Sequence, residues 1–94
     1  MAAWKTERHV LDHFRDHRSE FPGASLSEYA ASAAETLDVG EFFEYMDDRT
    51  GAWRTGCYHR ETRRLTILDE NDLIVSHFRC DQWYVQSLTD STYR

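Results

Sequence analysis

The sequence predicts a single α+β domain in which two N-terminal helices pack on a four- to five-stranded antiparallel sheet. Apolar residues follow a helical period up to Gly40 and alternate as in strands after it. The chain has 94 residues, 40% of them hydrophobic, which suffices for one modest core but not for two. We therefore expect one domain over residues 1–86 and a polar tail over residues 87–94 that frays.

The first predicted helix runs from Ala2 to about Ser19. It ends before Phe21-Pro22-Gly23, because proline disfavours helix in the residue before it and glycine tolerates positive φ. The helical wheel gives one apolar stripe, with His17 where this stripe meets water and His13 a step closer to solvent.

The second predicted helix begins at Ser25-Leu26-Ser27-Glu28, which fits a capping box. In this motif the serine hydroxyl and the glutamate carboxylate each satisfy a free backbone N–H of the first turn. Gly40 is the predicted terminator. The apolar face of this helix consists of Leu26, Tyr29, Ala30, Ala33 and Leu37.

Four strand-like segments with tight polar turns follow, and they predict an antiparallel meander. They cover residues 42–46, 52–59, 65–68 and 73–79. On the fourth, alternation places Ile74 and Ser76 on one face and His77 on the other, so Ser76 and His77 should not both face the helices. Trp83-Tyr84-Val85 predicts a fifth, edge strand.

The charge of the chain argues against a polyanionic partner, because nucleic-acid binding draws on basic residues. The net charge is −6, and the isoelectric point is near 5.2. Ten of the eleven basic residues are arginine, the side chain whose planar fork matches phosphate oxygens. Several arginines of the second half weaken the objection without removing it, among them Arg54, Arg60, Arg63, Arg64 and Arg79.

Targeting and cofactor signals are missing from the sequence. It has no run of 18 apolar residues and no basic leader with an apolar segment behind it, so we expect a cytoplasmic protein without membrane contact. Four glycines form no phosphate-binding loop, and no cofactor is expected. Cys57 and Cys80 are too few for a disulfide scaffold and are expected to be reduced thiols.

Three histidines at every fourth residue of the first helix, His9, His13 and His17, are the best indication of chemistry. Residues four apart share a helix face, and an imidazole at the border of core and water suits a general acid or base. Ordinary solvated helix residues are the alternative, because no partner is visible. Zinc could bind such a pair with a nearby carboxylate, but no Cys-x-x-Cys or His-Glu-x-x-His motif is present, and we expect no metal.

The order of these parts resembles the small nuclease domains of the barnase, EndoU, colicin and RelE group, and in particular the colicin D-like toxin domains. The resemblance covers about residues 11–79. The matching stretches are His13-Phe14-Arg15-Asp16-His17, Phe21, Ser27-Glu28-Tyr29 with Ala33 and Ala34, Tyr58 with Thr62, and Ile74-Val75-Ser76-His77-Phe78.

This resemblance implies metal-independent cleavage of RNA, possible substrates including tRNA. In such enzymes the ribose 2′-hydroxyl attacks the phosphorus and a cyclic phosphate results. The resemblance assigns general acid or base catalysis to His17 and a supporting role to His13. It assigns phosphate binding to Ser76 and base stacking to Phe78. Substrate contacts are expected from two arginines, Arg15 and Arg54.

Two departures from the family pattern point to a second hypothesis. Asp16 stands before the second histidine, where the family usually has lysine, and Cys57 replaces an arginine, which leaves Arg54 as a substitute three residues away. Both changes reduce positive potential. The alternative is therefore a catalytically inactive toxin-fold module that binds a protein, such as a cognate inhibitor, in a toxin–antitoxin or phage-related system. The oligomeric state does not follow from the sequence.

Overall fold

A helix-flanked sheet forms the fold of this computed structural model, which describes residues 3–92. That part of the chain is α+β, with three α-helices and one four-stranded antiparallel sheet in the order β1-β2-β3-β4. The elements are α1 (Glu7–His17), a 3₁₀ turn (Arg18–Glu20), α2 (Leu26–Val39), β1 (Glu41–Met46), β2 (Trp53–His59), β3 (Arg64–Leu68), β4 (Ile74–Arg79) and α3 (Gln82–Thr92). The predicted four-stranded meander is confirmed.

The segment before α1 pairs with β4 instead of being helical. The backbone N–H of Lys5 donates to the carbonyl of Ile74 (2.9 Å), and the N–H of Ile74 donates to the carbonyl of Ala3 (2.8 Å). Thr6 then caps α1, because its hydroxyl oxygen accepts from the N–H of His9 at 3.1 Å. The predicted start at Ala2 falls outside the described residues, and from residue 3 to Thr6 the helix prediction is wrong.

Helix α2 follows the sequence prediction closely. The capping box is present, with Ser25 accepting from the N–H of Glu28 and the Glu28 side chain accepting from the N–H of Ser25. Gly40 is the C-cap, and its N–H donates to the carbonyl of Thr36 at 2.8 Å. The helix packs on one face of the sheet, where Ala33 joins a buried cluster with β-strand residues.

Helix α3 occupies the place of two sequence predictions that were wrong. Trp83-Tyr84-Val85 is helical instead of a fifth strand, and residues 87–92 continue the helix instead of forming a tail. The β-propensity of the aromatic and branched residues suggested a strand. However, Tyr84 and Val85 lie one turn before Leu88, and these three side chains pack together against a core cluster. Tyr93 and Arg94 lie outside the described residues.

Helix α1 lies along β4, which is an edge strand of the sheet, and also contacts α2. A β-bulge in β4 changes the alternation: Leu68 pairs with Ile74, but Ile67 pairs with Ser76, so Val75 is the extra residue. Ile74 therefore shares a face with His77 and not with Ser76, contrary to the prediction. Because α1 covers the edge and α2 covers a face, Ser76 contacts α1 and His77 contacts α2. The expectation that Ser76 and His77 should not both face the helices is therefore wrong.

None of the helices in residues 3–92 combines the length and the apolar character that crossing a bilayer requires.

Candidate functional site at the sheet edge

The histidine row of α1 forms a stack that ends on β4. The imidazole rings of His13 and His17 lie parallel, 5.8 Å apart between centroids and 4° between planes. The ring of His17 also stacks on Phe78, at 5.1 Å and 20°. The i, i+4 spacing makes the first contact, and the position of α1 at the sheet edge makes the second.

A hydroxyl from β4 joins this stack. The Ser76 Oγ atom lies 3.5 Å from Nδ1 of His13, at the long limit of a hydrogen bond. The structure therefore brings His13, His17, Ser76 and Phe78 to one edge of the sheet. The Phe78 ring is packed between His17 and Tyr84, so its observed contacts are structural, and stacking on an RNA base stays a prediction.

Glu20 is the member of this site that sequence reasoning missed. Its Oε2 atom lies 2.6 Å from Nδ1 of His17, and its Oε1 atom accepts from the backbone N–H of Arg79 at 2.7 Å. An ionised carboxylate only accepts hydrogen bonds, so the proton of the neutral His17 ring resides on Nδ1 and the lone pair on Nε2. The three-residue spacing between His17 and Glu20 was the available signal. It was not used because the first helix was predicted to end at about Ser19, before Glu20.

The surroundings of His13 act on its pKa. Burial lowers the pKa of His13 below its ordinary value, and the neighbouring imidazoles of His17 and His9 lower it further. The carboxylates of Asp16 and Asp12 act in the opposite direction but are the weaker influences. These effects favour the neutral form of His13 at pH 7, which suits an acceptor for a proton or a hydrogen bond.

His77, beside Ser76 in the sequence, serves the core instead of the site. Its Nε2 atom lies 3.0 Å from the Ser32 hydroxyl, and its Nδ1 atom lies 3.1 Å from the carbonyl of Leu65 and 3.0 Å from the Thr66 hydroxyl. The hydroxyl of Tyr29 donates to the backbone carbonyl of His77. Burial lowers the pKa of His77 to about 4, so this ring is neutral and fully engaged.

The two arginines expected to contact substrate both lie beside carboxylates. Arg15 is exposed on α1 and forms ion pairs with Asp16 (3.4 Å) and Asp12 (3.7 Å). Arg54 lies on β2, which β3 separates from β4, and its guanidinium is 3.8 Å from Asp47. Substrate contacts by these two residues stay predictions.

Other chemistries find little support in the described part of the chain. Within residues 3–92, no group of three or more His, Cys, Asp or Glu side chains is arranged to hold a metal ion. Cys57 and Cys80 are free thiols. Burial raises the pKa of both to about 11, so neither is a thiolate nucleophile at neutral pH.

Comparisons with known proteins leave the site geometry as the basis for assigning a function. A scan against protein-family models found no matching family. A search of curated proteins found no match either. The fold and site define an α+β protein with a carboxylate-bound histidine at a sheet edge.

Proposed function

We propose that this protein is a small, metal-independent endoribonuclease of the colicin D-like kind, with His17 as the group that transfers protons. The observation that carries the proposal is the pairing of His17 with Glu20 beside a second imidazole and a strand hydroxyl. A base oriented by a third group is the usual arrangement for activating a hydroxyl nucleophile. The histidines of α1 would not by themselves indicate catalysis, since helix histidines are common on solvated surfaces.

The reaction assigns one task to each group. Nε2 of His17 takes the proton of a ribose 2′-hydroxyl, the 2′-oxygen forms a bond to phosphorus, and the bond from phosphorus to the 5′-oxygen breaks. The 5′-oxygen leaves with a proton from water, and a 2′,3′-cyclic phosphate remains. Glu20 stabilises the imidazolium that forms on His17, and the Ser76 hydroxyl donates to a phosphate oxygen. A positioned acid or base of this type contributes about 10²- to 10⁴-fold in rate.

Purified protein and an RNA substrate in excess EDTA test the proposal. We expect cleavage of single-stranded RNA or tRNA, products with a cyclic phosphate, and loss of both in His17→Ala. His59→Ala is the matched control, because His59 is also a partly buried histidine bonded to a neighbouring hydroxyl, that of Thr62 at 2.7 Å. Equal cleavage by wild type and His17→Ala would remove His17 from the reaction, and absence of any cleavage by wild type would overturn the proposal.

A second candidate function, a protein-binding module without catalysis, is favoured by one surface. Phe42 (59% exposed), Trp53 (49%) and Val39 (52%) are large apolar side chains open to solvent. The β1–β2 register places Phe42 and Trp53 on the face that α2 packs on. Exposed aromatic side chains on one face of a sheet are typical of protein interfaces. This function would be supported if wild type cleaves no RNA but co-purifies with a protein partner, and if a folded Phe42→Glu/Trp53→Glu variant loses that partner.

A further inference from the structure

Two clefts open beside the His17–Glu20 pair and share Arg79 as a common wall. Their volumes are about 380 Å³ and about 410 Å³, and Glu20, Pro22 and Arg79 line both. Arg63 lines the first cleft and Arg64 the second. Each cleft therefore contains two guanidinium groups, with Arg79 in the central position.

The guanidinium of Arg79 is oriented by backbone carbonyls that do not cancel its charge. Its Nε atom donates to the carbonyl of Thr62 (3.1 Å), and its Nη1 atom donates to the carbonyl of Glu20 (3.4 Å). The Glu20 carboxylate accepts from the backbone N–H of Arg79 and not from its side chain. Among the ion pairs of residues 3–92, none includes Arg79. A fixed, uncompensated guanidinium is well suited to bind a phosphate oxygen.

The other two arginines of the clefts are partly neutralised. Arg63 forms an ion pair with Asp81 through Nη1, at 2.7 Å. Arg64 lies 4.0 Å from Glu35. Each guanidinium has five N–H donors, so a single ion pair leaves donors for a second anion. The carboxylates nevertheless weaken the local positive potential, and Arg79 is the residue on which anion binding depends most.

We propose that Arg79 binds a backbone phosphate of single-stranded RNA, with Arg63 and Arg64 contacting the neighbouring phosphates along the two clefts. The inference rests on the proposed function, because it gives His17 the cationic surroundings that phosphoryl transfer needs. Two adjoining clefts with a shared arginine fit a chain of successive phosphates better than a single small anion. Because carboxylates also line the clefts, we expect affinity on the order of 10⁻⁴ M, in the range of weak, sequence-independent binding.

Binding of a short 2′-O-methyl RNA, which cannot be cleaved through its 2′-oxygen, tests the inference independently of catalysis. Fluorescence anisotropy of the labelled oligomer should show about tenfold weaker binding for Arg79→Gln, as expected for loss of a charge-assisted hydrogen bond. The slope of log K against log[salt] should fall by about one. Arg60→Gln is the matched control: it removes the same charge from an exposed arginine near Arg63, outside the lining of both clefts, and should change binding less than about twofold.

Competition experiments distinguish RNA from other anions, and a second variant controls for misfolding. Inorganic phosphate and a mononucleotide should compete far more weakly than the oligomer, and polyglutamate should not displace it. If polyglutamate displaces the RNA equally well, the clefts bind polyanions in general and the assignment to RNA is wrong. Arg79→Lys keeps the charge and should bind between wild type and Arg79→Gln, with thermal unfolding reported for each variant. If Arg79→Gln destabilises the fold, weakened binding by folded Arg79→Lys carries the test.

The two proposals fail in different ways. If Arg79→Gln and Arg60→Gln bind the oligomer equally, the phosphate role of Arg79 is refuted even when His17→Ala abolishes cleavage. If wild type cleaves no RNA but Arg79→Gln selectively loses binding, the proposed nuclease function is refuted and the RNA-binding clefts stand.

Discussion

The imidazole of His13 and the hydroxyl of Ser76 lie 3.5 Å apart although 63 residues separate them along the chain. This contact exists because α1 lies along the edge of the sheet and not over one of its faces. An edge position gives the helix access to side chains that point away from α2, and it leaves the stacked histidines half-buried at the surface. The site is thus a product of where α1 packs as much as of its sequence.

Replacing His17 is expected to remove activity with little effect on folding. His17→Ala should reduce RNA cleavage by about 10²- to 10⁴-fold, the usual contribution of one placed imidazole. The His17 ring lies between His13 and Phe78 but is still 26% exposed and outside the buried core clusters, so we expect a loss of no more than about 1 kcal/mol in the free energy of unfolding. Cleavage rates and urea unfolding curves, with His59→Ala in parallel, measure both effects. A large loss of stability would assign His17 a structural role.

Glu20 should matter for both activity and stability, and two substitutions separate these roles. Glu20→Gln keeps the size of the side chain but only one acceptor oxygen, so it loses one of the two hydrogen bonds and the charge that stabilises an imidazolium, and cleavage should fall at least about tenfold. Glu20→Ala removes both hydrogen bonds and should lower the free energy of unfolding by about 1–2 kcal/mol. Rates and unfolding curves of both variants provide the test. Wild-type cleavage by Glu20→Gln would show that the carboxylate only joins α1 to β4.

Ser32 should be more important for stability than its small size suggests. Its hydroxyl is 3.0 Å from Nε2 of His77 in the buried interface of α2 and the sheet. Ser32→Ala leaves this buried nitrogen without its partner, which should cost about 1–3 kcal/mol in the free energy of unfolding. Ser27→Ala is the control, because Ser27 is exposed on the same helix. Equal stability of the two variants would mean that another group satisfies His77.

The stability of the protein should fall as the pH decreases below 6.5. The pKa of His77 is about 4 in the folded protein against an ordinary value of 6.5. Between these values the unfolded chain binds a proton that the folded protein does not, so this source of stability is complete above pH 6.5 and decreases toward pH 4. The loss from this group approaches about 3 kcal/mol. Urea unfolding at pH 7.5 and pH 4.5 should show a larger difference for wild type than for His77→Gln; the same difference in both would contradict the prediction.

Gly40 should not tolerate even a methyl group. A Cβ atom there would lie 2.8 Å from the Cys57 sulfur, 2.9 Å from the carbonyl oxygen of Thr36 and 3.0 Å from the backbone of Tyr58. Its φ of −87° suits any residue, so crowding is the only obstacle. Gly40→Ala should lower the free energy of unfolding by about 1–3 kcal/mol. Thermal unfolding measures the change, and an unchanged melting temperature would show that α2 shifts to make room.

Local signals predicted the fold well where they acted within one element. The capping box of Ser25 and Glu28 fixed the start of α2, and the alternating residues with polar turns predicted all four strands. The predictions failed where tertiary contacts decided the outcome. Trp83-Tyr84-Val85 has strand propensity but becomes helical, because α3 can then bury Leu88 with Tyr84 and Val85 against the sheet.

The candidate site was also predictable only where local spacing within one element determines it. The spacing of His13 and His17 gave their shared face directly. The bulge at Val75 has no signal in β4 itself, and it changes which residues share a face with Ser76. Glu20 was missed because its role requires the backbone of Arg79, a partner 59 residues away that no local pattern reveals.

The two edge strands of the sheet, β1 and β4, are covered to different extents, and this matters for shortened forms of the chain. Residues 3–20 shield the outer side of β4, whereas β1 has only β2 as a strand neighbour in the part of the chain that the structure describes. Removal of this N-terminal segment would uncover β4, so that both β1 and β4 would then be edge strands with unpaired backbone groups. Such a fragment could add strands from other molecules at either end and grow into open-ended polymers, so proteolysis ahead of Phe21 is expected to promote aggregation.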